Sequence, residues 1–85
     1  MSAGIERMTW FARQQSTRML CEALQVIAGK PKPDEAERMT RAVLLDVLCE
    51  RHPAADAAFD AWADSDSTDH AEAIRAVVGA AMAQA

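Results

Sequence analysis

The sequence predicts an all-α protein that folds as one compact four-helix domain over residues 1–85. Glycine, proline and short polar runs divide the chain into four segments, and each segment repeats its apolar residues with the 3.6-residue period of an α-helix. No segment alternates apolar and polar residues as a half-buried strand does. We expect two longer helices at residues 5–28 and 34–51, followed by two shorter helices at 53–63 and 69–84.

The first predicted helix ends at Gly29, a residue type that suits the position after a helix, and Pro31 prevents its continuation. At 100° per residue, its apolar residues share one face, which we expect to be buried. The residues of this face are Met8, Ala12, Met19, Leu20, Ala23, Val26 and Ile27.

The second predicted helix has a clear start signal. Asp34 can cap the helix, and Glu37 lies three residues later, where a capping box places its acidic residue. The expected core residues are Ala36, Met39, Val43 and Val47, with Leu44 and Leu48 beside them.

The third predicted helix begins at Pro53, because the first turn of a helix leaves its amides without partners and tolerates proline. Ala55, Phe59 and Trp62 lie on one of its faces. The fourth helix follows Thr68 or Asp69. Its expected buried residues are Ile74, Val77, Val78, Ala81 and Met82.

A second apolar seam runs along the first two helices, on a different side from the expected core face. Its residues recur at a near-heptad spacing, and they are Trp10, Thr17, Cys21, Leu24 and Ala28 on the first helix and Leu45 on the second. One interpretation is that these helices are central and covered on most sides. The other is that the seam is an interface for a second copy or another protein, since 85 residues offer little material for covering it.

The charge of the chain is acidic and unevenly distributed. The net charge is −4, which disfavours general affinity for nucleic acid backbones. Residues 52–85 carry Arg75 as their single cation against six acids. The residues Asp56, Asp60, Asp64 and Asp66 form a candidate acidic surface for a partner protein. A solvated face that keeps the protein in solution would show the same pattern.

Residues that could carry catalysis or bind a cofactor show no recognisable pattern. Cys49 and His52 lie three residues apart, but a structural zinc site needs two such pairs. The acidic loop at residues 64–68 resembles the start of a calcium-binding loop, yet Asp69 and Arg75 occupy the positions that require glycine and a bidentate acid. We therefore expect no catalytic residue, no metal, no cofactor and no small-molecule substrate.

A DNA-binding protein with a helix-turn-helix motif is the alternative class. The short turn at residues 51–53 between the second and third helices fits such a motif. The third helix, however, carries aspartates and no Arg or Lys, and it would repel phosphates. DNA binding would then depend on the basic residues of the first helix and the loop after it, which are Arg7, Arg13, Arg18, Lys30 and Lys32.

These observations together predict a small non-enzymatic protein–protein interaction module that forms a homodimer or binds another protein. Two cysteines and the lack of a secretion-signal pattern favour a cytoplasmic location. The preference for Arg over Lys, with abundant alanine, is typical of GC-rich coding sequences. We therefore expect a bacterial or phage-encoded regulator or host-directed inhibitor, which would act in the host cytoplasm if it is phage-encoded.

Overall fold

A computed structural model describes the backbone of residues 2–85 and the side chains from Gly4 onward. Its helices are α1 (Ser2–Arg13), α2 (Thr17–Ala28), α3 (Glu35–Arg51), α4 (Pro53–Asp64) and α5 (His70–Gln84). The all-α prediction is confirmed, since the described residues contain helices and no strand. The five helices form a compact body with a Cα radius of gyration of 12.1 Å. Over this range of the chain, no helix has the length and apolar character needed to cross a membrane.

The prediction of four helices is wrong, because the first predicted helix is interrupted at residues 14–16. The amides of Gln14 and Gln15 donate to carbonyl oxygens three residues earlier, which tightens and ends the last turn of α1. Ser16 then has an extended backbone (φ −70°, ψ 158°), and its side chain accepts a hydrogen bond from the Met19 amide. Ser16 is therefore the N-cap that starts α2.

The interruption changes which face of α2 is buried. The buried residues of this helix are Leu20, Cys21, Leu24 and Ile27. Met19, Ala23 and Val26, which we predicted to be in the core, instead face solvent. On α1 the predicted face does turn inward, with Ala12 buried and Met8 half-buried. Because α1 and α2 point in different directions, one continuous stripe of the sequence is divided between the core and the surface.

Helix α3 lies at the centre of the fold and packs against each of the other four helices. It begins with the predicted capping box, in which the Glu37 amide donates to Asp34 Oδ1 at 2.7 Å and the Asp34 amide donates to Glu37 Oε1 at 2.9 Å. Its buried residues are Val43, Leu44, Leu45, Val47 and Leu48. Ala36 and Met39, predicted to be in the core, are exposed because the first two turns of α3 precede its buried part.

Helices α4 and α5 pack against each other and against α3. The apolar face predicted for α4 is confirmed, since Ala55 is buried and Phe59 and Trp62 are half-buried. The Trp62 ring lies 5.6 Å from the Phe59 ring and 5.3 Å from the ring of His70, at the start of α5. The buried residues of α5 are Ala73, Ile74, Val77, Val78 and Ala81. Met82, predicted to be buried, is exposed in the last turn.

Candidate protein-interaction surface

Large apolar side chains that face solvent are concentrated on α1 and α2. Seven such side chains are exposed among the described residues, and Met39 and Met82 are the two that lie on other helices. The exposed fractions of the remaining five are 44% for Ile5, 58% for Trp10, 56% for Phe11, 53% for Met19 and 66% for Val26. We call these five residues the α1–α2 apolar surface. Single exposed apolar residues are normal in folded proteins, whereas five on two consecutive helices make these helices the candidate interaction surface.

An open groove of about 300 Å³ lies between α1, α2 and α3 and includes part of this surface. Its lining residues are Met8, Phe11, Ala12, Gln15, Met19, Leu20, Ala23 and Leu44. Gln15 contributes the one polar side chain of this lining. The Trp10 ring packs edge-on against the ring of Phe11, with 5.1 Å between centroids, and extends the apolar area beyond the groove. An apolar groove with flexible Met and aromatic side chains can accept the apolar face of a helix.

Helix α1 is attached to the rest of the fold mainly through α3. Ala12 is the buried residue that α1 adds to the core, and Met8 packs beside it. Nη2 and Nε of Arg13 donate to the two carboxylate oxygens of Glu50 at 2.6 and 3.1 Å. Nη2 of Arg51 donates to the carbonyl oxygen of Arg13 at 2.9 Å. The helix therefore buries little apolar area, and polar bonds hold its C-terminal end.

The ion pair between Arg13 and Glu50 is exposed to solvent, with about half of each side chain accessible (53% and 54%). The hydrogen bond from the guanidinium lowers the pKa of Glu50 below its ordinary value, and the carboxylate raises the pKa of Arg13. Water and salt screen such a pair, so its contribution to stability is small. Its two-point geometry fixes where the end of α1 lies on α3.

The residues of the predicted second seam do not form one surface in the single chain. Their positions differ: Cys21, Leu24 and Leu45 are buried, Thr17 and Ala28 are half-buried, and Trp10 is exposed. The side chains of Thr17 and His52 are hydrogen-bonded, with 2.9 Å between Oγ1 and Nε2. Trp10 is therefore the residue of this seam that is most accessible to a partner. A contact between the seam and a second chain stays a prediction.

Sequence reasoning missed four of the five residues of the α1–α2 apolar surface. It assigned Met19 and Val26 to the core, and it did not single out Ile5 or Phe11. The signal that could have corrected the assignment is Ser16, because serine is a preferred N-cap and can restart a helix in a new direction.

The predicted acidic surface is exposed on α4 and in the loop that follows it. Asp56, Asp60, Asp64 and Asp66 all face solvent. None of the four forms an ion pair with a residue of the described chain. Asp66 has a positive φ of 63°, a conformation that aspartate tolerates better than most residues, and it shapes the turn before α5. Binding of a partner to this surface stays a prediction.

Cys49 lies beside the acidic surface and is half-buried. Burial, together with the carboxylates of Asp56, Asp46 and Asp60, raises the pKa of its thiol to about 11. The thiol is therefore protonated at neutral pH and is a weak nucleophile. His52 lies three residues further on but bonds to Thr17. Between residues 4 and 85, no group of three or more His, Cys, Asp or Glu side chains could hold a metal ion.

The basic residues considered for DNA binding are largely paired with carboxylates. The pairs are Arg13 with Glu50 at 2.6 Å, Arg18 with Glu22 at 3.5 Å and Lys30 with Glu37 at 2.9 Å. Three of the five candidate cations thus have an acidic neighbour that offsets their charge. This arrangement weakens the attraction that a phosphate backbone would feel.

No family model, curated protein or solved structure matches this chain. The fold and the exposed side chains define its class: a small all-helical protein whose exposed large apolar residues lie mostly on two consecutive helices. Its function has to be inferred from the chemistry of those residues.

Proposed function

We propose that this protein is a protein–protein interaction module and that its partner binds the α1–α2 apolar surface. The observation that carries this proposal is that five of the seven exposed large apolar side chains lie on two consecutive helices, with Phe11 and Met19 lining one groove. Full burial of one such side chain stabilises a protein by roughly 1.5–3 kcal/mol. A partner that covers the partly exposed set therefore gains several kcal/mol of binding free energy.

The groove favours an apolar partner with polar flanks. Met8 and Met19 have flexible side chains that adapt to the shape of a bound surface. Gln15 can hydrogen-bond to a polar group at the edge of such a partner. Arg18 and Glu22 form an ion pair with each other on another side of α2, where they line a separate depression, so the groove itself has no charged lining residue. These features fit the apolar face of a helix.

Self-association is the simplest use of this surface, and we propose a homodimer. The accessible surface of the chain is 5400 Å², compared with roughly 4,900 Å² for a compact monomer of the same mass. Small domains also gain stability by burying additional apolar area in an oligomer. A role as a cytoplasmic regulator or host-directed inhibitor of bacterial or phage origin stays a prediction from composition.

Placing a charge on the surface tests this proposal. Val26→Lys changes the most exposed of the five residues, so it should weaken association without altering helical content. The matched control is Ala61→Lys, which adds the same charge at an exposed position of α4. Sedimentation equilibrium should show dimers for the native chain and for Ala61→Lys, and monomers for Val26→Lys. Equal association of the two variants would contradict the proposed surface.

A further inference from the structure

The bend between α1 and α2 divides a regular apolar seam. Ile5, Ala12, Met19 and Val26 are each seven residues apart, so on an uninterrupted helix they would form one straight seam of the coiled-coil type. In the structure Ala12 is buried against the core, whereas the other three side chains face solvent. One part of the seam is therefore used within the chain and the other part has no partner.

The residues at the bend are compatible with a helix. Gln14 and Gln15 have high helix propensity, and the segment contains neither glycine nor proline. Two polar groups hold the bent conformation. Ser16 caps α2 with a 3.1 Å hydrogen bond from the Met19 amide. Arg51 reaches from α3 to the carbonyl oxygens of Ala12 and Arg13 at the end of α1.

In a straight helix, the backbone carbonyl groups at the end of α1 would form hydrogen bonds with other donors. The carbonyl oxygens of Ala12 and Arg13 now accept hydrogen bonds from Arg51, at 3.4 and 2.9 Å. In a continuous helix they would accept from the amides of Ser16 and Thr17, four residues later. The Thr17 amide donates no backbone hydrogen bond among the described residues. The bent and straight forms are thus both able to satisfy the backbone.

Helix α1 can leave its own α3 without dismantling the core. Every residue of the buried core cluster other than Ala12 lies on α2 to α5. The remaining attachments of α1 are its contact with α3 and the bonds from Arg13 and Arg51. A second copy of the chain presents the same α3 surface and the same Glu50 carboxylate, so it can take over this contact without any new complementarity.

We propose that the chain forms a domain-swapped dimer, in which α1 and α2 join into one straight helix and α1 packs on α3 of a second copy. Ala12 then enters the core of the other copy, and Arg13 pairs with the Glu50 carboxylate there. The exposed Met19 and Val26 of each long helix face the other copy and complete the seam. This inference rests on the proposed function, and it identifies the occupant of the α1–α2 apolar surface as a second copy of this chain.

Thr17→Pro separates the bent form from the straight one. Proline fits the first residue of α2, because the amide that it removes makes no bond and Ser16 already has the extended ψ of 158° that precedes proline. In the straight helix the same proline would occupy an interior position and break it. Thr17→Ala is the control for loss of the hydrogen bond to His52. Ser16→Ala removes the cap of the bent form and should favour the straight one.

Light scattering on a sizing column gives the mass of each variant. We expect the native chain and Thr17→Ala to be dimers, and Thr17→Pro to be a monomer with native helical content. The dimer of Ser16→Ala should have a dissociation constant that is lower by about tenfold or more. The reason is that the substitution removes the N-cap of α2 from each bent monomer, whereas the straight helix does not use this cap. A native chain that stays monomeric at millimolar concentration, or a Thr17→Pro variant as dimeric as Thr17→Ala, overturns the swap. If Thr17→Pro is as dimeric as Thr17→Ala, the Val26→Lys variant decides whether the proposed surface still holds. A monomeric Val26→Lys supports that surface without a swap, whereas a dimeric Val26→Lys contradicts the surface too.

Charge exchange tests the swap without changing the bend. Arg13→Glu and Glu50→Arg each place like charges at positions 13 and 50. Without a swap these two positions belong to the same chain, so mixing the two variants does not remove the repulsion. In a mixed swapped dimer, position 13 of each chain faces position 50 of the other, so both contacts again join opposite charges. We expect more heterodimer than random mixing gives, and more than in the control mixture of Arg75→Glu with Glu72→Arg on the exposed side of α5. A heterodimer fraction equal to that of the control mixture would overturn the swap.

Discussion

Replacement of Leu24 by alanine should cost far more folding free energy than replacement of Val26, two residues later on the same helix. Leu24 is fully buried, whereas 66% of Val26 is exposed. Loss of a buried leucine side chain costs about 2.7–5 kcal/mol, because apolar contact is lost and a cavity remains. Removal of the Val26 methyl groups should change the free energy of unfolding by no more than about 0.5 kcal/mol. The higher helix propensity of alanine offsets part of even this loss.

The difference is large compared with the stability of so small a protein. At 0.05–0.15 kcal/mol per residue, a chain of this length has a free energy of unfolding of about 4–13 kcal/mol. Leu24→Ala should therefore remove roughly a fifth of the total or more. The melting temperature should fall by roughly 10–40 °C, since 1 kcal/mol corresponds to about 4–8 °C in a domain of this size.

Urea unfolding followed by far-ultraviolet circular dichroism measures both variants. The measurement belongs at low protein concentration, because dimer formation would add to the apparent stability. Leu24 was assigned by its spacing to an interface seam, so the experiment also separates a core role from an interface role. The packing described for α2 would be refuted if Leu24→Ala and Val26→Ala lost equal free energy of unfolding.

Three further predictions concern polar groups. Asp34→Ala removes the capping box of α3 and should cost about 1 kcal/mol in urea unfolding, whereas Asp34→Asn should cost less because asparagine also caps helices; equal losses would argue against the cap. Arg13 lowers the pKa of Glu50, so their pair stabilises the fold fully above the ordinary glutamate pKa and loses this effect as the pH falls through the lowered value. Arg13→Ala should reduce this acid-dependent loss in pH titrations of stability, and an unchanged titration would contradict the assignment. A thiol reagent at mildly alkaline pH should label Cys49 slowly in the folded chain and quickly in denaturant, because its pKa is raised to about 11; equal rates would contradict that shift.

The parts of the fold that depend on local signals could be predicted from the sequence. The end of α2 after Ala28, the capping box at Asp34 and Glu37 and the proline that opens α4 each arise from residues close together in the chain. The division of α4 into an apolar and an acidic face also follows from local periodicity. Because of these features, the all-α class and most helix ends can be predicted without tertiary information.

The bend at Ser16 could not be predicted from local sequence. The preference for a continuous helix and the preference for a new N-cap differ there by only about 1 kcal/mol. Gln14 and Gln15 favour a continuous helix, and Ser16 favours a new start. Tertiary contacts decide the outcome, including the bond from Arg51 on α3 to the end of α1. The direction of α1 then determines which apolar residues of α2 are exposed.

For that reason the predicted seam and the α1–α2 apolar surface have one residue in common, Trp10. Trp10 is exposed, whereas Leu24 is buried, because the core of α2 lies on the side that was expected for the interface. Periodicity identifies the faces of a helix, but it does not say which face meets the rest of the chain. That choice depends on residues distant in sequence, such as Leu44 and Leu48 of α3.

An NMR dilution series tests most directly whether the α1–α2 apolar surface is the contact surface. Backbone amide signals of the labelled native chain would be recorded from micromolar to millimolar concentration. We predict that the largest concentration-dependent changes occur at Phe11, Met19, Ala23 and Val26, and that α4 signals change little. Changes centred on Asp56 and Asp60 of α4, or no changes over a range in which the mass rises from monomer to dimer, would contradict the account.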